Sequence, residues 1–284
     1  MGIILSSIEN TKSSCVVITG ATRGIGFGLA KAFLDLGWHV VIAGRDQAQL
    51  QKSLKQLANE YGAAHIVGQC CDVTNYDDLQ NLWRYAQQQF KYIDVWINNA
   101  GSCTAAKAFQ EISAVELQQV VQTNVLGAMF GAQIALKGMS VQGFGQIFNM
   151  EGWGSRGEWS AGMTAYATTK RAVGYFSHAL YREAKHSQIK IGTLSPGMVA
   201  TDLLISSWQH GDARHWRKMK WLFMFVIDSP EIVCAYLAQR VSRNKQNNVR
   251  IVWMSPWRLL LRFLQPYYWR RNPVQGTALD DLGK

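Results

Sequence analysis

Tyr166 and Lys170, in Tyr166-Ala167-Thr168-Thr169-Lys170, place a phenol and an ammonium one helical turn apart on the same face. Such a pair could deliver a proton. A free tyrosine has a pKa of about 10, and a neighbouring positive charge favours its phenolate, so Lys170 could bring Tyr166 toward acid–base work near neutrality. The spacing also occurs on many solvated helix faces, so the surrounding elements have to decide between these readings.

Residues Cys15 to Thr19 form a short apolar run of strand type. Gly20-Ala21-Thr22-Arg23-Gly24-Ile25-Gly26 follows, and then an amphipathic stretch through Leu36 that ends at Gly37. Strand, glycine turn and helix in that order suit a dinucleotide. The glycines let the backbone approach a pyrophosphate, and the helix presents its first N–H groups to the anion. A second strand from His39 to Ala43 ends at Gly44-Arg45, where an NAD-preferring site would carry an acidic residue for the ribose hydroxyls. Arg45 cannot accept those hydrogen bonds. Together with Arg23 it could clamp a 2′-phosphate, which favours NADP(H); the alternative is two arginines exposed on loops.

Further strands are predicted at 65–70, 93–97, 146–150, 189–194 and 249–254, separated by helical patterns that include Pro230 to Val241. The alternation predicts an α/β fold, a single doubly wound Rossmann domain with a central parallel sheet of about seven strands and helices on both faces. That domain is expected to span residues 1–254, with a substrate loop at about 198–228, followed by a basic aromatic extension over 255–284. Ligands of such folds sit beyond the C-terminal strand ends, where Asp72-Val73, Asn98-Asn99-Ala100-Gly101 and Ser195-Pro196-Gly197 fall.

Five cysteines without C-x-x-C spacing point to neither a disulfide framework nor a metal site, and to a reducing compartment. Residues 1–14 lack a signal or transit pattern, and no apolar run is long enough for a membrane span. The expected place is therefore the cytoplasmic side, with peripheral contact to a membrane left open. Net charge is +10, and the segment from Trp208 to Arg271 carries nine of those excess charges together with six tryptophans.

In order and spacing, Thr19-Gly20-x-x-x-Gly24-Ile25-Gly26, Asp72-Val73, Asn98-Asn99-Ala100-Gly101, Asn124, Tyr166-x-x-x-Lys170 and Pro196-Gly197 resemble the short-chain dehydrogenase/reductase superfamily, from Cys15 to about Met254. The resemblance implies hydride transfer between a nicotinamide cofactor and a carbonyl. Tyr166 would be the acid, and Lys170 would lower its pKa and hold the nicotinamide ribose. Asn124 would keep the lysine and a relay water in place. Asp72 and Val73 would meet the adenine, Asn98, Ala100 and Gly101 would line the cofactor floor, and Pro196, Gly197, Val199 and Thr201 would touch the nicotinamide end.

One position departs from that pattern. The superfamily usually carries a serine about 13 residues before its tyrosine to polarise the carbonyl oxygen. Here the stretch reads Asn149-Met150-Glu151-Gly152-Trp153-Gly154-Ser155, and the nearest hydroxyl, Ser155, is 11 residues before Tyr166. Glu151 has two readings: a carboxyl that donates to the substrate carbonyl, or a group that caps a turn or pairs with an arginine such as Arg156. This stretch, with residues 92–102 and 194–204, resembles the chlorophyll b reductase branch, which implies reduction of a 7-formyl group to hydroxymethyl, peripheral to a thylakoid membrane.

Trp208, Trp216 and the apolar run 221–227, beside Arg214, Arg217, Lys218 and Lys220, suit a large hydrophobic substrate. From Pro256 to Arg271, leucines and aromatics with arginines at their flanks fit a helix lying on an acidic membrane, or an apolar tail packed against the body or a second subunit of a homo-oligomer. No nucleic-acid motif accompanies them. Besides a formyl reductase, a reductase of another hydrophobic carbonyl (lipid, isoprenoid or another tetrapyrrole) and a silent pigment- or partner-binding scaffold remain open.

Overall fold

The computed structural model describes residues 13–201 and 223–273. The basic and aromatic side chains from Trp208 to Trp221, assigned above to a substrate loop, lie outside the described residues. β1 (Cys15–Thr19) is buried throughout, as its β-branched sequence requires for a strand covered on both faces. It leads through the glycine turn into α1 (Gly24–Asp35), followed by β2 (His39–Gly44), α2 (Gln47–Tyr61), β3 (Ile66–Cys70), α3 (Tyr76–Phe90) and β4 (Val95–Asn98). The second half runs α4 (Ala114–Val121), a π-helical turn (Gln122–Leu126), α5 (Gly127–Gln142), β5 (Gly145–Met150), α6 (Thr164–Ala184) and β6 (Ile189–Ser195). Last come the short β7 (Met198–Val199) and β8 (Ile227–Asp228), α7 (Pro230–Ser242), β9 (Val249–Val252), α8 (Pro256–Phe263) and α9 (Pro266–Arg270).

Seven strands pair in parallel in the order β3-β2-β1-β4-β5-β6-β9, and β7 pairs with β8 separately. The chain winds outward from β1 to β3 and crosses back to β4, so the strand order reverses between β1 and β4 and opens a crevice at their C-terminal ends. One face of the sheet buries Leu29 and Phe33 of α1 with Val233 and Leu237 of α7. The other buries Leu82 and Trp83 of α3 with Ala132 and Met139 of α5. Small residues permit these close approaches: a Cβ on Gly28 would meet Cys234 Sγ at 2.8 Å, and one on Gly138 would run into the Trp83 ring.

The strands predicted from sequence appear with shifted ends. β4 starts at Val95 rather than Ile93, because the side-chain amide of Gln142 takes both the N–H (3.0 Å) and the carbonyl (2.9 Å) of Ile93. β9 stops at Val252, since Trp253 turns its indole N–H onto Asp228 at 2.6 Å and Pro256 opens a helix.

After Met254 the chain packs on Trp253 and Asp228 with Arg258, Arg262 and Arg271 turned inward, while Arg270 is exposed. Asp228, buried on β8, receives Arg262 at 2.6 Å, Arg271 at 2.8 Å and the Trp253 indole. Arg258 stacks over the Trp253 ring at 3.8 Å and donates to the Trp253 carbonyl at 2.7 Å. The flanking arginines expected to face an acidic membrane are thus engaged with the protein at three of these positions.

Candidate active site

α6 carries Tyr166 and Lys170 on one face, and that face is buried against the end of β5. Lys170 donates to the carbonyl of Met150 at 3.1 Å, and its Nζ lies 5.7 Å from the centre of the Tyr166 ring. Gly152 lies directly against the Tyr166 hydroxyl: a Cβ built there would collide with Oη and stand 3.1 Å from Lys170 Cε. The position facing the phenol from β5 is therefore bare backbone. Sequence reasoning missed Gly152, although its place just after strand five was a usable signal.

The two other candidates from this stretch are committed elsewhere. Ser155 Oγ accepts from the Gly152 N–H at 3.0 Å and so braces the turn. The Glu151 carboxylate accepts from Arg250 on β9, at 3.0 and 2.8 Å from Nε, and from the Thr193 hydroxyl at 2.7 Å. Its arginine partner is Arg250 rather than Arg156, because the β6–β9 register sets Arg250 beside Thr193. No atom of Glu151 is drawn toward Tyr166 by these bonds.

Asn124 sits in the π-helical turn between α4 and α5, a local widening frequent at functional sites. It accepts from Ser102 N at 2.7 Å and donates to Ser102 O and the Thr169 hydroxyl, each at 2.9 Å. Thr169 in turn donates to the carbonyl of Tyr166 at 2.7 Å, so Asn124 ties the loop after β4 to the helix that bears the tyrosine. Thr169 was also missed.

Burial dominates the titration of the pair. It raises Tyr166 far above the usual phenol range, with a smaller push from Cys103, and it lowers Lys170 to about 8 against the opposing pull of Cys103 and Glu151. In the protein alone the Tyr166 pKa is thus raised rather than lowered, because desolvation of the phenolate dominates.

The glycine turn meets the same crevice. Gly20 and Gly24 have positive φ (63° and 57°), and a Cβ on Gly20 would lie 2.7 Å from Ala100 Cα. Asn99 staples the contact by donating to the carbonyls of Thr19 (2.8 Å) and Gly20 (3.0 Å), while Thr19 Oγ1 receives the N–H groups of Asn99 and Ala100. Thr201 approaches Gly24, 3.5 Å from where its Cβ would be, and the ideal Cβ of Gly101 lies 3.7 Å from Lys170 Nζ. One continuous line therefore runs from Gly24 and Thr201 past Gly20, Ala100 and Gly101 to Lys170 and Tyr166.

The other predicted cofactor residues take supporting places. Asp72 caps its own turn through Thr74 N (2.9 Å) and Oγ1 (2.8 Å), and buried Val73 packs where α5 begins at Gly127. Asn98 is spent inside the fold on Trp96, Ala128 and Asn149. Thr22 O is held by Ser53 at 2.8 Å, Ile25 O accepts from Cys234, and a Cβ on Gly26 would strike Gly20 O. Pro196 and Val199 are buried, and Gly197 turns at φ 72°. Arg23 and Arg45 are exposed, and among the described residues neither guanidinium has a partner.

One helix end beside the glycine turn is a candidate anion site. Asp46, Asn75 and Ser113 cap α2, α3 and α4 with their side chains, whereas α1 has no side-chain cap and no acid in its first turn. Its first N–H groups follow directly on the glycine turn, and with the exposed Arg23 and Arg45 they offer the kinds of donor that a phosphorylated dinucleotide needs.

A doubly wound sheet with a Tyr-Lys-Asn site beside a glycine turn defines a class, and a family model described as short chain dehydrogenase matches residues 14–211. The chain belongs to that family. It is 39% identical over 232 residues to chlorophyll(ide) b reductase NOL, chloroplastic, of Arabidopsis thaliana, covering 80% of this chain and 64% of that protein. Against the protein of the same name from Oryza sativa subsp. japonica, identity is 41% over 196 residues, covering 67% and 57%. The chain thus spans less than two thirds of the length of these relatives. A variant of actinorhodin polyketide ketoreductase solved with NADPH matches with a TM-score of 0.73 at 24% identity, over 84% of this chain and 96% of that one. An alcohol dehydrogenase from Thermococcus sibiricus complexed with 5-hydroxy-NADP matches at 0.72 and 20%, over 86% and 97%. Those two likenesses show the fold.

Proposed function

We propose that this chain is an NADP(H)-dependent reductase of a carbonyl on a large hydrophobic substrate, most consistent with the 7-formyl group of a chlorophyll b-type tetrapyrrole. The observation that carries this reading is the Tyr166 hydroxyl, set against the bare backbone of Gly152 with Lys170 buried behind it. Trp153, the next residue, is 43% exposed, so its ring is available to an apolar ligand. The resemblance to chlorophyll(ide) b reductases supports the substrate class.

The α1 N-terminus would hold the pyrophosphate, Arg23 and Arg45 the 2′-phosphate, Asp72 and Val73 the adenine side, and Pro196 to Thr201 the nicotinamide end. When bound, that cofactor supplies the hydride for the carbonyl carbon. Tyr166 keeps its proton through burial and gives it to the carbonyl oxygen as negative charge develops there. Lys170 then stabilises the phenolate that is left. Asn124, through Thr169, fixes the helix that presents both groups.

The test is Tyr166→Phe, which removes the proton and keeps the ring. Turnover should fall by about 100-fold or more while NADPH affinity stays within a few-fold of wild type. Full turnover in the variant would refute the reading.

A further inference from the structure

β7 and β8 are too short to place themselves. Each has two residues, and among the described residues they pair with one another alone, Met198 with Ile227 and Val199 with Asp228; a strand pair of that length is marginal in water. Something else has to hold them. The Asp228 side chain is 3% exposed and spends both oxygens: Oδ1 accepts from Arg271 at 2.8 Å, and Oδ2 accepts from Arg262 and from the Trp253 indole, each at 2.6 Å. The same two arginines also reach the carbonyls of the segment that enters β8. Arg262 donates to that of Phe225 at 2.7 Å, and Arg271 to those of Met224 and Ile227, the latter at 2.6 Å. The Phe225 ring packs on Phe263 and Trp269, with ring centres 4.4 and 5.1 Å apart. The chain beyond the last strand thus grips β8 by its carboxylate, by the carbonyls before it and by the ring that leads into it.

What β8 holds in turn is the stretch after β6. The Asp228 carbonyl accepts from the Ala200 N–H at 3.0 Å, so Ala200 stands where β8 puts it. Thr201, the next residue, brings its methyl to 3.5 Å from where a Cβ on Gly24 would be, at the start of α1. Gly197, just before β7, lies close to the root of the strap: a Cβ there would be 3.1 Å from that of Met254. One line of contacts therefore runs from Arg262 and Arg271 through Asp228, Val199 and Ala200 to Thr201 and the glycine turn. A buried ion pair is better suited to fixing register than to adding net stability. This one fixes the register of the residues to which the proposed function gives the nicotinamide.

We propose that Asp228, Arg262 and Arg271 are positioning residues for the nicotinamide end of the cofactor, acting through β8 on Val199, Ala200 and Thr201. The inference rests on the NADP(H) reading above. It makes residues 255–271 part of the cofactor site's framework, although none of them is assigned a contact with the cofactor. The phosphate end is independent of this grip, since Arg23 and Arg45 stand after β1 and β2 and none of the contacts just named involves them.

The test compares two ligands on the full chain by calorimetry: NADPH, and adenosine 2′,5′-bisphosphate, which keeps the adenine and the 2′-phosphate and lacks the nicotinamide. Asp228→Asn should weaken NADPH by about tenfold and Arg271→Gln by several-fold, with the bisphosphate within about twofold of wild type in both. Arg271→Gln leaves the Arg262–Asp228 pair in place, so it decides the matter alone if Asp228→Asn does not fold. NADPH affinity unchanged in the folded variants would overturn the inference and leave the cofactor reading standing. Equal loss of both ligands would also overturn it, because a general loosening of the fold spares neither end. Failure of the wild-type chain to bind NADPH would overturn the cofactor reading itself, and this inference with it.

Discussion

In the proposed reduction Tyr166 has to hold its proton until the carbonyl oxygen takes it, and burial favours the protonated phenol. The cost falls on Lys170, whose ammonium is desolvated in the same pocket and pushed down to about 8. Below that pH the lysine is charged and can favour both the phosphorylated cofactor and the phenolate product. Above it the neutral amine does neither. NADPH affinity should therefore weaken as pH rises through about 8 or slightly higher, since the bound anion itself draws the lysine pKa upward. Titration of NADPH fluorescence between about pH 7 and pH 10 should show a several-fold loss in wild type and a flat profile in Lys170→Ala. A flat wild-type profile would remove Lys170 from cofactor binding.

At the scale of elements, the end of β5 is shaped by strands far away in sequence. Glu151 is fixed by Thr193 on β6 and Arg250 on β9, and this bridge holds the turn that carries Gly152 past the Tyr166 hydroxyl. Glu151→Gln should keep the threonine hydrogen bond, lose the charge pairing and destabilise the fold by about 1–3 kcal/mol, with turnover within a few-fold of wild type. Thermal unfolding measured beside turnover separates the roles: a loss of about 100-fold at unchanged stability would make Glu151 a participant in the chemistry. The missing serine was legible in the sequence, and so was the pairing of Glu151 with some arginine. Arg250 itself was not, because only the register of two strands puts it beside Thr193. Gly152 was hidden for a related reason. Counting back from Tyr166 crosses a turn-rich loop, whereas the packing of α6 on β5 sets what faces the phenol.

For the whole molecule, the strand order placed the crevice between β1 and β4, whereas the alternation of strands and helices was already enough to give the parallel sheet of about seven strands. Local apolar periodicity and glycine placement carry that information directly. The region after Met254 was less transparent, since the same Leu, Trp and Arg pattern allows either set of side chains to face the protein. Asp228 decides it: a buried carboxylate draws Arg262 and Arg271 inward and leaves the leucines outside. Sheet, crevice and the buried Tyr166–Lys170 pair suit the proposed reduction of a carbonyl on a hydrophobic substrate. The most direct measurement supplies the purified chain with NADPH and a panel of a 7-formyl tetrapyrrole, its 7-methyl counterpart and long-chain lipid ketones, following NADPH oxidation and the absorption bands of the pigment. The account predicts oxidation of NADPH with the formyl pigment, conversion of its spectrum to that of the 7-hydroxymethyl product, and a slower reaction with NADH. Turnover of a lipid ketone with no reaction of the formyl pigment would contradict it.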